Sequence, residues 1–335
     1  MYIVGLDFDK SHFRQCARSA SMVSLSGILG PALVAVCITP LLLETPGLFA
    51  PGASQLQAAL FMVSALAITA FPMLARIVHE NGLSNTSLGT LSLSAGAIDD
   101  AVGWCLLALV LASFKSDFAP AFMAIIGGGF IAFTLITKGE KWLTPVVARA
   151  MDDKSETSSL AFVLIIFLAM ATIADFLGLH TIFGGFLLGV VMPRGALSQS
   201  IKAWLEPLTV VLFLPIFFTY SGLNTQFSLL FSGDVLPIAL MVLVGSILAK
   251  LGACWAAARL SGQDNSTALA VGTLMNSRGL MELIIINIGL QVGLIGPALF
   301  SILALMAIVT TLIVSPLFGY INRRASISSG EALSN

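Results

Sequence analysis

The sequence predicts an all-α polytopic membrane protein of about ten transmembrane helices, and three observations carry that reading. Of 335 residues, 57% are hydrophobic and only 10% are charged, with a mean hydropathy of +0.99. A soluble domain would carry roughly a quarter charged residues, so there is too little polar surface here to cover a water-soluble globule. Apolar runs of roughly 20 residues, the length that crosses a bilayer, recur along the chain. The lysines and arginines between those runs then fall almost entirely on one side.

Spans are expected at 20–43, 54–78, 87–113, 118–137, 158–178, 180–193, 205–222, 235–260, 265–290 and 294–321. The sixth is short, carries Gly184, Gly185 and Gly189, and ends at Pro193. A re-entrant piece, or the tail of the fifth span, is the alternative there. Counting all ten places Lys10, Arg14, Arg18, Arg76, Lys138, Lys141, Arg149, Lys154, Arg194, Lys202, Arg259, Arg323 and Arg324 on one face, and only Lys115 on the other. Loops rich in lysine and arginine face the cytoplasm, so both termini are expected there, in a plasma (inner) membrane. Without the sixth span every later loop changes sides and the segregation is lost.

Residues 1–325 read as one transmembrane domain and 326–335 as a disordered polar tail. The one long polar connector, 138–157, reads as an amphipathic cytoplasmic helix and a loop. Met1–Asp7 looks like the last turn of an apolar helix whose beginning is absent. Cys16, Cys37, Cys105 and Cys254 have no metal or disulfide spacing and read as small core residues. His12, His79 and His180 are scattered, and neither a cofactor nor a nucleic-acid partner is expected.

Ionisable groups inside a bilayer cost ~2.5–3.5 kcal/mol each on insertion scales and by default mark a functional pathway. Five stand well inside spans: Asp99, Asp100, Lys250, Arg278 and Glu282. Asp99 and Asp100 are adjacent near the midpoint of the third span, so they point about 100° apart on a helix. One is expected to face a cavity and the other a partner. Desolvation and a nearby cation act on such a carboxylate in opposite senses, so a proton and a metal cation can compete for its oxygens. Two buried acids held by structural hydrogen bonds is the competing reading. Lys250 is too deep to snorkel and should have an acidic partner, for which Asp99 is the candidate. Arg278 and Glu282, four residues apart, share a helix face and read mainly as a structural ion pair.

Two spans are interrupted. Ile68-Thr69-Ala70-Phe71-Pro72 breaks the second, because Pro72 removes a backbone donor and frees a carbonyl. Gly272-Thr-Leu-Met-Asn276-Ser277-Arg278-Gly279 breaks the ninth. Free backbone groups at that depth are tolerated only where buried in protein or lining a watery cavity. The breaks fall in the second helix of spans 1–3 and the second helix of spans 8–10. The two units, 20–113 and 235–321, are offset by an odd number of spans and so are expected to be inverted repeats. Interrupted helices in matched positions of two repeats are the best sequence pointer to a transport site.

The same residues carry a family resemblance. Val4-Gly-Leu-Asp-Phe-Asp9, Ile68-Thr-Ala-Phe-Pro-Met-Leu-Ala-Arg76, Ser94-Ala-Gly-Ala-Ile-Asp-Asp100, Leu177–Gly189 and Asn276-Ser-Arg-Gly-Leu-Met-Glu282 resemble the cation/H+ exchanger domain of monovalent cation:proton antiporters, in the branch with Kef-type and plant exchangers. The resemblance implies a mobile core with two crossing discontinuous helices, and a dimer-forming scaffold to which 118–222 contributes. It implies a homodimer when the N-terminal spans are present; about three of them are missing here relative to the family, as is the Kef-type C-terminal nucleotide-binding domain. Asp100 becomes the main carrier of proton and metal cation (Na+ or K+), Asp99 the partner of Lys250, and Thr69 a binding residue at the helix break. An adjacent Asp pair resembles members that exchange more than one proton per cation. A cation channel and a non-transporting fragment are the alternatives. An intramembrane aspartyl protease fits less well, since its two aspartates come from separate helices. No enzymatic activity is expected.

Overall fold

The computed structural model describes residues 2–6, 10–83, 86–114, 134–151, 156–176, 181–230 and 235–328. Among them the regular secondary structure is helical, as the composition predicts. The chain divides into two compact units. One holds Lys10–Gly103 and Ser221–Asn335, the other Met1–Asp9 and Trp104–Tyr220.

The first unit begins with α2 (Lys10–Glu44), a long apolar helix with a kink at Cys16. Next come α3 (Gln55–Ala67) and α4 (Phe71–Glu80), the two halves of one interrupted span, and then α5 (Ser87–Phe114). Ser54 starts α3 as a capping box: its hydroxyl accepts the Gln57 amide while Gln57 reaches back to the Ser54 amide. The later part holds α11 (Phe227–Leu230), α12 (Val235–Leu260), α13 (Asn265–Leu274), α14 (Leu280–Gln291) and α15 (Pro297–Ser328). Helices α13 and α14 are again two halves of one interrupted span.

Helices α2 and α12 run antiparallel at backbone contact. A Cβ on Gly27 would lie 2.6 Å from Cys254 Sγ, and one on Gly30 would lie 2.7 Å from Ala253 Cβ. Small residues let helices approach this closely where lipid gives no hydrophobic drive to associate. At one end of the unit the loop after α2 and the loop after α14 are tied together. The Ala50 amide donates to Leu294 O at 2.8 Å, and the Gly296 amide donates to Leu48 O at 2.7 Å. At the other end an apolar cluster of Ala20, Leu74, Ala95, Cys254, Val271 and Phe318 joins α2, α4, α5, α12, α13 and α15.

The other unit contains α1 (Tyr2–Leu6), α6 (Glu140–Met151) behind a wider π turn at Leu135–Gly139, α7 (Glu156–Phe176) and α8 (Thr181–Val191). A continuous helix follows: α9 (Ala196–Leu208), a π turn at Thr209–Phe213, and α10 (Leu214–Leu223). Helices α1 and α8 touch through glycines, because a Cβ on Gly189 would sit 2.1 Å from Tyr2 O.

Several expected boundaries move. The seventh expected span, 205–222, lies on a helix that starts at Ala196, because Lys202 and Glu206 lie on it without ending it. Helix α8, at eleven residues, is about 16 Å long, shorter than the hydrocarbon core. Helix α15 continues through Ser328, so helix includes the first residues of the tail expected at 326–335. Extending an existing helix by one residue costs far less than starting one. The connector at 138–157 does carry a helix, α6. Most of the expected fourth span, 118–137, lies outside the described residues. Among the described residues five helices are long and apolar enough to cross a membrane: Cys16–Glu44, Gln55–Glu80, Ser198–Leu223, Val235–Leu260 and Pro297–Ile321.

Candidate functional site

The site is built where the two interrupted spans meet. Helix α3 ends because Ile68 and Ala70 are extended, at φ −76°, ψ 137° and φ −81°, ψ 96°. Helix α4 restarts at Phe71 with Pro72 in its first turn, where the missing N–H is no loss. The second break runs from Met275 to Gly279. The backbones of the two breaks join directly, since the Ala70 amide donates to Ser277 O at 2.9 Å. Gly279 fits closely against the first break: a Cβ there would lie 3.0 Å from Met73 Cγ.

A helix end leaves its last carbonyls without intrahelical donors and carries about half a negative charge. At α3 two buried cations take up those carbonyls. Arg278 Nη1 donates to Ala65 O at 2.7 Å and Nη2 donates to Leu66 O at 2.6 Å. Lys250 Nζ donates to Ala67 O. Each cation also meets an acid. Lys250 Nζ lies 2.9 Å from Asp99 Oδ2, and Arg278 Nη1 lies 3.3 Å from Glu282 Oε2. The second pair is an ion pair without aligned hydrogen-bond geometry, so the guanidinium spends its well-aligned donors on the helix end.

Asp99 is saturated. Its Oδ1 accepts from Ser24 Oγ at 2.5 Å, and its Oδ2 accepts from Thr69 Oγ1 at 2.7 Å as well as from Lys250. Thr69 Oγ1 also lies 2.8 Å from Met275 O. Its single proton serves one of these two acceptors at a time, which ties the first break to the second.

Asp100 differs completely. It is 0% exposed, and neither carboxylate oxygen has a hydrogen-bond partner among the described residues. The backbone amide of Phe71, at the positive end of α4, interacts with it outside ordinary hydrogen-bond geometry. No ion pair among the described residues includes it. Among the described residues the buried charged side chains are Asp99, Asp100, Lys250, Arg278 and Glu282. Three carboxylates face two cations, and the pairing above leaves Asp100 as the surplus negative charge.

The structure therefore brings Thr69, Asp99 and Lys250 into one hydrogen-bonded cluster, with Arg278 on the same helix end and Glu282 paired to it. Asn276 and Ser277 lie in the second break. The Asn276 amide group donates to Gly272 O at 3.0 Å, while its Oδ1 and Ser277 Oγ have no hydrogen-bond partner among the described residues. Ser24 and the carbonyls of Ala65, Leu66 and Ala67 belong to the site and were not expected. A carbonyl leaves no trace in a sequence, since every residue has one. Among the described residues no cluster of His, Cys, Asp and Glu could hold a resident metal.

A family model described as "Sodium/hydrogen exchanger, transmembrane" matches residues 1–320. The chain belongs to the sodium/hydrogen exchanger family. Members are transporters rather than enzymes, and the chain is accordingly an integral membrane protein. It is 36% identical over 322 residues to the Na(+)/H(+) antiporter NhaS4 of Synechocystis sp., covering 95% of this chain and 78% of that protein. It is 32% identical to cation/H(+) antiporter 17 of Arabidopsis thaliana, covering 95% of this chain and 39% of the relative. It is 29% identical to K(+)/H(+) antiporter 1 of Saccharomyces cerevisiae, covering 95% and 37%. The chain thus spans less than half the length of these plant and yeast exchangers.

Proposed function

We propose that the chain exchanges a monovalent cation, Na+ or K+, for protons, and that Asp100 is the group that takes up either one. The observation that carries this reading is the surplus charge. Asp100 is a fully buried carboxyl with no side-chain hydrogen bond and no ion pair among the described residues, beside a neighbour that accepts from Ser24 and Lys250 and shares the Thr69 proton with Met275 O. A lone buried carboxylate is costly, and one proton or one alkali cation removes that cost. Two ligands that relieve the same charge at the same oxygens exclude each other, which is what coupled exchange requires. The named activities of the relatives, Na+/H+ and K+/H+ antiport, support it.

Alternating access, with the interrupted helices as the moving site, belongs to the same proposal. Support comes from the antiparallel run of α2 against α12 and from the matching order of a long helix, an interrupted helix and a long helix on each side. Two three-helix units in opposite orientation give two related packings of one site, one open to each face. The ten-span arrangement with both termini in the cytoplasm rests on the segregation of lysine and arginine.

The test is a reconstituted vesicle with an imposed pH gradient and a trapped pH dye. Adding Na+ or K+ should dissipate the gradient with the wild-type chain and leave it intact with Asp100→Asn. Cation-driven proton flux through the Asp100→Asn variant would remove Asp100 as carrier. Cation flux without proton movement would make the chain a channel.

A further inference from the structure

Ser24 lies on α2, 0% exposed, far in sequence from every group singled out above. A hydroxyl inside a helix ordinarily returns its proton to a carbonyl three or four residues back. Thr39, Ser64, Ser246 and Thr310 all do so here. Ser24 instead donates to Asp99 Oδ1 at 2.5 Å, across 75 positions of chain. Its neighbour one turn on, Gly27, explains how α2 comes so near. A Cβ there would lie 2.6 Å from Cys254 Sγ and 4.0 Å from Lys250 Cε, so the lysine stem passes α2 where a side chain is missing. Ser24 and Gly27 thus form one face of α2 beside the Asp99–Lys250 pair.

Three donors, Ser24, Thr69 and Lys250, meet the two oxygens of Asp99. An ionised carboxylate offers about four acceptor sites; Thr69 and Lys250 both lie on Oδ2, so Ser24 is the one donor on Oδ1 among the described residues. With Ser24 absent, Oδ1 would be a buried carboxylate oxygen with no donor, directly beside the residue that carries the unpartnered carboxyl. Such an oxygen is a hard ligand of the kind an alkali cation prefers.

We infer that Ser24 is a positioning residue that keeps Asp99 out of the cation's coordination shell and so prevents the site from binding its cargo too tightly to release. The inference rests on the reading of Asp100 as carrier. Binding energy realised in the loaded state but not in the moving state lowers KM without raising the rate. Ser24→Ala should therefore lower the apparent KM for the driving cation by about fivefold, the equivalent of one net hydrogen bond, and lower the maximal rate as well. Ser24→Thr, which keeps the hydroxyl, should bring KM back toward the wild-type value.

The experiment is a Na+ and K+ concentration series at one fixed pH in reconstituted vesicles, with Asp100→Asn alongside. If Ser24→Ala accumulates too poorly to reconstitute, Ser24→Cys, with similar size and a weaker donor, should shift KM in the same direction by less. An unchanged or raised KM in the donor-weakened variant, or an equal shift in Ser24→Thr, overturns the inference. Exchange by Asp100→Asn would instead bring down the carrier reading itself. An inactive Asp100→Asn beside a wild-type KM in Ser24→Ala would bring down only the role of Ser24.

Discussion

The two interruptions use similar backbone geometry and opposite electrostatics. At the first, between α3 and α4, the three carbonyls of Ala65, Leu66 and Ala67 all accept from buried cations. At the second, between α13 and α14, the donors are neutral. Asn276 serves Gly272 O, Thr69 reaches Met275 O, the Ala70 amide serves Ser277 O, and the Thr311 hydroxyl lies equally close to Arg278 O and Ala307 O. The difference teaches where the charge is balanced. Lys250 and Arg278 neutralise one helix end and are themselves matched by Asp99 and Glu282, so the first break is a closed account of charge. Asp100 stands outside it.

The sharpest way to break that comparison is to remove a cation at the first break. Lys250→Ala strands the Asp99 carboxylate, and Arg278→Ala strands two carbonyls and Glu282. Losing one partner of a buried pair costs about 3–5 kcal/mol, so both variants should show large losses of thermal stability in detergent. Asn at position 99 should recover much of the loss in Lys250→Ala, and strictly additive shifts would show that the two groups do not interact. Arg278→Lys should recover only part of the Arg278 loss, because an ammonium lacks the fork that spans two carbonyls.

A smaller effect is expected at the second break. Asn276→Ala and Thr311→Val each remove a neutral donor from a backbone carbonyl, a change of about 1–3 kcal/mol where the carbonyl stays buried and unsatisfied. If either destabilises more than the loss of Lys250, the contrast between the charged and neutral breaks is wrong.

The smallest effect lies at the exposed start of α13, where Asp264 caps the helix. Its carboxylate accepts from the Ser266 hydroxyl and from the Ser266 and Thr267 amides, and these bonds hold it well below the usual carboxylate range. A carboxyl lowered on folding contributes stability above its unfolded value, near pH 4, and loses it as pH falls through the lower folded value. Asp264→Ala should cost about 1 kcal/mol, as caps do. The gap between variant and wild type should narrow as the medium is acidified.

Much of this was legible in the chain because membranes punish charge. Asp99, Asp100, Lys250, Arg278 and Glu282 stand out simply by lying in apolar runs, and Pro72 and Gly272–Gly279 betray the breaks for the same reason. Ser24 was not legible. A serine in an apolar helix can satisfy itself on its own backbone, and only the packing of α2 against α12 redirects its proton. The carbonyls of Ala65 to Ala67 were hidden because acceptors of that kind are everywhere. The start of α9 at Ala196 was hidden because charges such as Lys202 suggest a loop but are equally at home near the end of a membrane helix.

The central claim is that Asp100 holds a proton when no cation is bound and gives it up to the cation. Infrared difference spectra of the reconstituted protein, taken on adding Na+ or K+ at constant pH, read this without any transport step. The account predicts the loss of one protonated-carboxyl C=O band in the wild type and no such band in Asp100→Asn. A cation-induced loss of that band that persists in Asp100→Asn would contradict it.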